Sequence, residues 1–179
     1  MNGVNLDITT LILLISNVSN GHCQFTFSDP VLSQQAAEER SKPSMPHLLQ
    51  FLNGKKLFVC ETALRNFRSI LDAVGGPEER ARYRRLMDQV TVVADSPSAR
   101  SITLARSAHI KQRAVTIFGT GDSIHAVTTT ANSSFVRASL QAGVEFVTFL
   151  HAARALTERK EATAQVFVGQ ASSLNFEQR

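Results

Sequence analysis

The sequence predicts an α/β fold of three layers, α/β/α, with a mostly parallel central sheet. Short apolar runs rich in β-branched residues alternate along the chain with stretches whose apolar residues recur at helical spacing. Strands that alternate with helices are typical of a parallel sheet with helices on both faces. A length of 179 residues, 43% of them hydrophobic and 19% charged, suits one globular domain with a substantial core.

The first half of the chain contains three predicted strands, each a short apolar run. Helices are predicted where apolar residues follow the 3.6-residue period or where a polar residue can cap a helix. Gly75-Gly76-Pro77 ends one helix and begins the next, because glycine favours helix ends and proline favours first turns. The predicted strands cover residues 4–6, 56–60 and 90–94, and the predicted helices cover 9–18, 31–40, a segment from Glu61, a segment from Pro77 and a segment carrying 102–108.

The second half begins with residues 114–118, an apolar and β-branched run that favours a strand. We interpret the glycines at 119 and 121 as a turn that presents Asp122. Further along, Arg154 and Glu158 lie one helical turn apart and are interpreted as a surface ion pair. A helix is predicted over residues 123–142 and a strand over 144–149, with residues 1–160 forming the domain and 161–179 a polar tail.

Several classes of protein are disfavoured by composition. The chain has two cysteines and no CxxC, which argues against a disulfide framework or a structural zinc site. No apolar run reaches the roughly 18 residues of a membrane-spanning helix. The apolar run at residues 11–15 lacks a preceding basic residue and has Asp7 instead, which is atypical of a signal peptide. We therefore expect a cytoplasmic or nuclear protein that contacts no membrane.

Acidic residues follow the ends of the predicted strands. Parallel α/β sheets bind their ligands at the carboxyl ends of the strands, so these carboxylates are expected to converge. Converging carboxylates suit hard divalent cations such as Mg²⁺ or Mn²⁺, which can activate water for attack on a phosphodiester. Each acid could instead serve as a helix cap or a first-turn residue. The acids in question are Asp7, Glu61, Asp95 and Asp122.

The order of these residues resembles that of PIN-like (PilT N-terminus) nuclease domains. Residues 5–10, Asn-Leu-Asp-Ile-Thr-Thr, resemble the opening of that superfamily, where an acid follows the first strand with Ser or Thr close behind. In that family a second acid opens the helix after the second strand, which Glu61 matches. A third acid opens a later helix, which Asp122 matches. The resemblance covers about residues 4–150.

Four segments resemble more specifically an uncharacterised eukaryotic family whose C-terminal half is PIN-like. That resemblance carries no assigned activity. The segments are residues 4–11, residues 75–77, residues 117–122 with 130–132, and residues 154–158.

The superfamily resemblance implies a ribonuclease that hydrolyses RNA with carboxylate-bound Mg or Mn. Asp7, Glu61 and Asp122 would then be catalytic and hold the metal. Asp95 would be a further ligand. The remaining roles would be support of the site by Thr9, Asn132 and Thr148, and RNA binding by Arg82, Arg85, Lys111 and Arg113, which belong to a stretch rich in basic residues in a chain of net charge +4.

The sequence departs from the PIN-like pattern at the fourth acid, since Thr148 is followed by no acid in the expected place. A second alignment makes residues 114–122 the fourth strand, with Asp122 as fourth acid and Asp95 as third. A third places Asn132 where an acid would stand. The incomplete set supports an alternative function, a catalytically inactive module that binds RNA or a protein. The expected partners are RNA, a second copy of the chain, or a companion region missing from the N-terminal side.

Overall fold

The computed structural model describes residues 2–106 and 110–169. Five strands form one sheet in the order β4-β3-β1-β5-β6, and every neighbouring pair is parallel. Two further strands form a small antiparallel sheet. In chain order the strands are β1 (Gly3–Leu6), β2 (Phe25–Thr26), β3 (Lys56–Cys60), β4 (Val90–Val93), β5 (Val127–Thr130), β6 (Thr148–Leu150) and β7 (Gln165–Val166).

Helices connect the strands of the large sheet, and the three-layer α/β/α architecture with a parallel sheet is confirmed. Within the described residues, no helix is both long and apolar enough to cross a membrane. The helices are α1 (Ile8–Ile15), α2 (Pro30–Ser41), α3 (Met45–Leu52), α4 (Glu61–Val74), α5 (Pro77–Met87), α6 (Ala99–Ile102), α7 (Gln112–Ser123), α8 (Ser133–Gln141) and α9 (Glu158–Glu161).

The path of the chain through the sheet determines where a ligand crevice lies. From β1 the chain moves outward through β3 to β4, then returns to β5 on the other side of β1 and continues to β6. Right-handed crossovers in opposite directions place helices on opposite faces. The two directions diverge between β1 and β5, so the topological switch point lies at the carboxyl ends of these two strands.

The strand predicted over residues 114–118 is wrong, because these residues lie inside α7. The two glycines interpreted as a turn are also helical. A Cβ at Gly119 would overlap Ser101, and a Cβ at Gly121 would overlap Asn5 and Thr128. Glycine is needed at both positions because α7 packs directly against its neighbours, without room for a side chain.

The helix predicted over residues 123–142 is divided into a turn, β5 and α8. Thr128, Thr129 and Thr130 form most of β5, as expected for β-branched residues in a buried strand. The strand expected at 144–149 is shorter and later, since β6 starts at Thr148. Helix α3 and the β2–β7 pair had not been predicted, and the latter carries regular structure past residue 160.

Candidate functional site

Asp7 lies at the switch point and opens α1. It follows β1 directly and is the helix N-cap, with its carboxylate accepting a hydrogen bond from the backbone N–H of Thr10 at 2.8 Å. An aspartate at this place satisfies one of the amide groups that a helix start leaves unpaired. The residue is 4% exposed, so its charge is almost removed from solvent.

Hydroxyl groups surround this carboxylate. Thr9 Oγ1 donates to Asp7 Oδ1 at 2.6 Å, and Thr130 Oγ1 donates to Oδ2 at 2.5 Å. Thr9 Oγ1 also accepts from the Ala131 backbone N–H at 2.7 Å, which ties the start of α1 to the segment after β5. A buried carboxylate needs such donors to offset its lost hydration. The donors that compensate Asp7 therefore come from within the protein.

His151 adds a second layer to this arrangement. Its Nε2 lies 2.7 Å from Thr10 Oγ1, and its Nδ1 lies 2.9 Å from the carbonyl oxygen of Ala152. Burial lowers the pKa of His151 below 6.5, against an opposing effect of the Ala152 hydrogen bond and of Asp7. The lowered pKa favours the neutral ring, and Nδ1 carries the proton because it faces a carbonyl oxygen, which can only accept.

A cleft of about 530 Å³ opens beside Asp7, between α1, α4, α7 and α8. We call it the switch-point cleft. Its polar residues come from the starts of three helices and the loop before α7, and its apolar residues from the helix faces and that loop. The polar lining consists of Asp7, Thr9, Lys111, Arg113, Asn132 and Ser134, and the apolar lining of Ile8, Ile12, Ile70, Ile110, Ala114, Ile117, Phe118, Phe135 and Ala138.

Of the predicted supporting residues, Thr9 and Asn132 lie in the switch-point cleft. Asn132 follows β5 and is the N-cap of α8, where its Oδ1 accepts from the Phe135 backbone N–H at 3.2 Å and from Ser134 Oγ at 2.9 Å. Asn132 therefore lies just beyond the carboxyl end of β5. Thr148 begins β6 and therefore stands at the opposite, amino end of its strand.

Glu61 and Asp95 follow strands β3 and β4 but are not among the lining residues of the switch-point cleft. Glu61 is exposed and lines a separate depression with Arg65 and Arg68. Asp95 accepts from the Thr62 backbone N–H at 2.9 Å and from Thr62 Oγ1 at 2.6 Å. Burial would raise the pKa of Asp95, but these hydrogen bonds outweigh it and hold the pKa below 3.8. Asp95 thus braces the first turn of α4.

Asp122 lies at the opposite, amino ends of the strands. It lies near the end of α7 and lines a second cleft, of about 580 Å³, together with Ala126, Thr128 and Val147 from the amino ends of β5 and β6. Its carboxylate accepts hydrogen bonds from Arg100, which lower its pKa below 3.8 against the opposing effect of burial. The structure therefore does not bring Asp122 to Asp7.

The predicted RNA-binding residues divide into two pairs. Lys111 and Arg113 line the switch-point cleft, with Arg113 Nη1 3.2 Å from Asn66 Oδ1. Arg82 instead donates to the backbone oxygen of Ile15 at 3.0 Å and to a neighbouring asparagine, and its side chain is largely buried. Arg85 is exposed on α5. Lys111 and Arg113 are thus the pair that the fold brings to Asp7.

The residues of the switch-point cleft do not fit the Mg or Mn implied by the resemblance. Among the described residues, Asp7 is the one carboxylate in the lining, and no group of three or more His, Cys, Asp or Glu side chains converges as metal ligands do. Mg²⁺ and Mn²⁺ require an oxygen-rich, negatively charged environment. Here one buried carboxylate already accepts several hydrogen bonds, and two cations lie in the same cleft.

Some site residues were missed by sequence reasoning. Thr130, whose hydroxyl reaches Asp7, was placed in a helix, and Ser134 was not singled out. The three consecutive threonines of β5 were the available signal, because β-branched residues favour strands over helices. A strand over residues 127–130 places Asn132 and Ser134 beyond its carboxyl end.

Comparison with known proteins identifies the family to which the chain belongs. Residues 4–165 match the family model described as "Protein of unknown function (DUF1308)". The chain belongs to this family. A DUF1308 protein thus carries the switch-point cleft, since the match spans all of the strands of the large sheet. The chain is also similar to a chain in the crystal structure of VapBC2 from Rickettsia felis bound to a DNA fragment from their promoter, with 11% identity, 83% of this chain and 98% of that chain covered, and a TM-score of 0.49.

Two segments of the DUF1308 chain that were singled out in the sequence meet in the structure. Glu158 accepts hydrogen bonds from the backbone N–H groups of Glu78 at 3.0 Å and Glu79 at 2.9 Å, just after the Gly75-Gly76-Pro77 turn. A Cβ at Gly76 would overlap the Glu158 carboxylate, so a larger residue there would require that side chain to shift.

Glu79 is the buried residue at this junction between the start of α5 and the segment at residues 157–158. It is fully buried and accepts from the backbone N–H groups of Asn17 at 3.1 Å, Gly76 at 3.1 Å and Thr157 at 2.9 Å. One carboxylate therefore joins the segment after α1, the start of α5 and the segment before α9.

The interpretation of Arg154 and Glu158 as a surface pair is wrong. Arg154 is 5% exposed, and its Nε donates to Glu39 Oε2 at 2.8 Å while its Nη1 contacts Glu38 at 3.2 Å. Glu39 is also buried and accepts from the backbone N–H and hydroxyl of Ser44. The pair fixes the C-terminal segment to the α2–α3 connection.

Proposed function

We propose that this chain is a PIN-like module that binds RNA at the switch-point cleft and does not hydrolyse it by a metal held on clustered carboxylates. The observation that carries the proposal is the charge of the cleft. Lys111 and Arg113 share it with a single carboxylate among the described residues, and that carboxylate is buried and compensated by Thr9, Thr10 and Thr130.

Position supports binding at this cleft. It lies where the crossover directions of a parallel sheet diverge, the place where open α/β sheets bind ligands. Exposed cations at such a site attract the phosphate backbone of a nucleic acid and release its counterions. The resemblance to PIN-like nucleases supports RNA as the nucleic acid, without hydrolysis, because Asp7 is the one carboxylate that lines the cleft among the described residues.

The test is fluorescence anisotropy of a labelled single-stranded RNA with the full chain in EDTA. We expect binding that EDTA leaves unchanged. Lys111→Gln with Arg113→Gln should weaken binding about tenfold and lower the salt slope by about 1.4, because each phosphate contact on a single strand contributes about 0.7. The matched control is Arg84→Gln with Arg85→Gln, two exposed arginines on α5 that are absent from the described lining of the cleft.

A second measurement separates binding from hydrolysis. The labelled RNA is incubated with the chain and Mn²⁺, beside the Asp7→Asn variant, which keeps the capacity to cap α1. We expect intact RNA in both samples. Cleavage by the native chain that Asp7→Asn abolishes would overturn the proposal in favour of a metal-dependent nuclease, and RNA binding that requires Mn²⁺ would overturn it as well.

A further inference from the structure

The switch-point cleft has the size of a site for one small ligand. It is not a channel for an RNA strand. Its volume of about 530 Å³ falls within the roughly 300–1,000 Å³ of clefts that bury a single ligand. Helices α1, α4, α7 and α8 each contribute lining residues, so the cleft has walls on several sides. A ligand that fills it therefore contacts residues of four helices.

One part of the lining is aliphatic. Ile8 and Ile12 from α1, Ile70 from α4 and Ile110 before α7 line the cleft and are all partly exposed. Isoleucines left partly accessible inside a cleft bind flat apolar surfaces, because such contact removes apolar area from water on both sides. The faces of a nucleobase are surfaces of this kind.

The other part of the lining is cationic. Lys111 and Arg113 are two residues apart at the start of α7, and both side chains are exposed. Asn66 accepts one of the N–H groups of Arg113, and a guanidinium has five such donors. The opposing charge of Asp7 is sequestered, since that residue is 4% exposed and hydrogen-bonded to Thr9, Thr10 and Thr130.

The charge of the phosphate group distinguishes the end of an RNA strand from its interior. A phosphomonoester carries a charge of about −1.5 to −2 at pH 7, whereas each internal phosphodiester carries one. Two neighbouring cations beside an apolar wall match a dianion attached to a base. A terminal nucleotide can also enter a walled cleft from one side, whereas an internal nucleotide must have chain leading in and out.

We infer that the switch-point cleft binds the terminal nucleotide of an RNA strand that ends in a phosphomonoester. The phosphate contacts Lys111 and Arg113, and the base packs on Ile8, Ile12, Ile70 and Ile110. This inference rests on the proposed function and specifies the part of the RNA that the cleft recognises. The same chemistry is present in a free nucleoside monophosphate, so the experiment must compare both sources.

The experiment is a competition against a labelled RNA bound to the full chain. The competitors are four forms of one decanucleotide sequence and free AMP. The four forms carry a 5′-phosphate, carry a 3′-phosphate, have hydroxyl groups at both ends, or are circular. We expect one of the two phosphorylated forms to compete about tenfold better than the form with hydroxyl ends, as for a charged group held by two cations. Lys111→Gln with Arg113→Gln should remove this difference.

A pair of isoleucine variants tests the apolar wall. Ile110→Ser should weaken the competition by the phosphorylated RNA, whereas Ile102→Ser should not, because Ile102 is 53% exposed on α6 and is not among the lining residues of the cleft. Circular dichroism spectra of both variants test whether each is folded. Equal effects of the two substitutions would overturn the placement of the base.

The outcomes separate this inference from the proposed function. If phosphorylated and hydroxyl ends compete equally while Lys111 and Arg113 remain important, the terminal-nucleotide inference is overturned and RNA binding stands. If AMP competes as well as the phosphorylated decanucleotide, the site belongs to a free nucleotide and the assignment to an RNA end is overturned. If no RNA binds, both are overturned.

Discussion

Glu158 caps α5 from 80 residues further along the chain, through hydrogen bonds from the backbone N–H groups of Glu78 and Glu79. Its neighbour in this junction, Glu79, turns back and accepts from Thr157 N–H. Two glutamates thus exchange backbone hydrogen bonds between distant segments.

Glu79→Gln should lower the free energy of unfolding by about 1–3 kcal/mol. The amide nitrogen of glutamine cannot accept from Gly76 N–H, so one buried donor is left without a partner. Urea denaturation measures the change. Glu78→Gln is the matched control, because the Glu78 side chain is 56% exposed and its ion pairs with Arg82 and His22 contribute little. Equal losses for the two variants would contradict the role of Glu79.

Arg154→Ala should destabilise the chain by about 3–5 kcal/mol, because it leaves the buried carboxylate of Glu39 without its cation. Combining it with Glu39→Gln should cost less than the sum of the single substitutions, since the second change removes the uncompensated charge. A double-mutant cycle by chemical denaturation is expected to give an interaction energy of about 0.5–3 kcal/mol. Strict additivity would show that the two side chains do not interact.

His151 should make the fold less stable as the pH falls below about 6.5. The pKa of His151 is lowered in the folded chain, so the unfolded chain binds the proton first. Acidification therefore stabilises the unfolded chain relative to the folded one. Above the unfolded pKa both states are neutral and the effect vanishes. Denaturation between pH 8 and pH 5 should show a smaller loss for His151→Gln than for the native chain. The slope due to His151 cannot exceed about 1.4 kcal/mol per pH unit.

Cys60 should be unreactive toward thiol reagents in the folded chain. Burial raises its pKa to about 11, and its side chain is inaccessible. At pH 8 only about 0.1% of such a thiol is ionised, and the thiolate is the reactive form. Titration with a chromogenic disulfide should therefore detect Cys23 alone, and a second thiol in urea. Cys23→Ala should leave the folded chain without a prompt reaction, whereas a rapid reaction would show that Cys60 is exposed.

The sequence was a good guide where the local pattern and the tertiary environment agree. The strands at residues 4–6, 56–60 and 90–93 are short apolar runs, and each is followed by an acid that braces or opens a helix. The pattern of residues 114–118 predicts a strand, yet these residues are helical. β-branched residues are tolerated in a helix that packs against neighbouring elements. Asp122 consequently lies at the amino ends of the strands and not at the predicted carboxyl ends.

Part of the candidate site follows from the sequence pattern. Asp7 and Thr9 follow an apolar run that predicts β1, whereas the three threonines before Asn132 form no apolar run and are predicted as helix. The roles of Glu79 and Arg154 could not be predicted, because their partners lie 78 and 115 residues away and no local pattern marks a buried charge. Such charges look the same in a sequence as those on a solvated helix.

The junction of Glu79 with the C-terminal segment makes the interior of the fold depend on residues 154–158. A fragment ending before residue 154 would keep Glu39 and Glu79 inside but lose Arg154 and the amides of Thr157 and Glu158. Limited proteolysis should therefore spare residues 154–158 in the native state. A cut there should lead to rapid digestion of both fragments, since the buried carboxylates of Glu39 and Glu79 would lose hydrogen-bond donors.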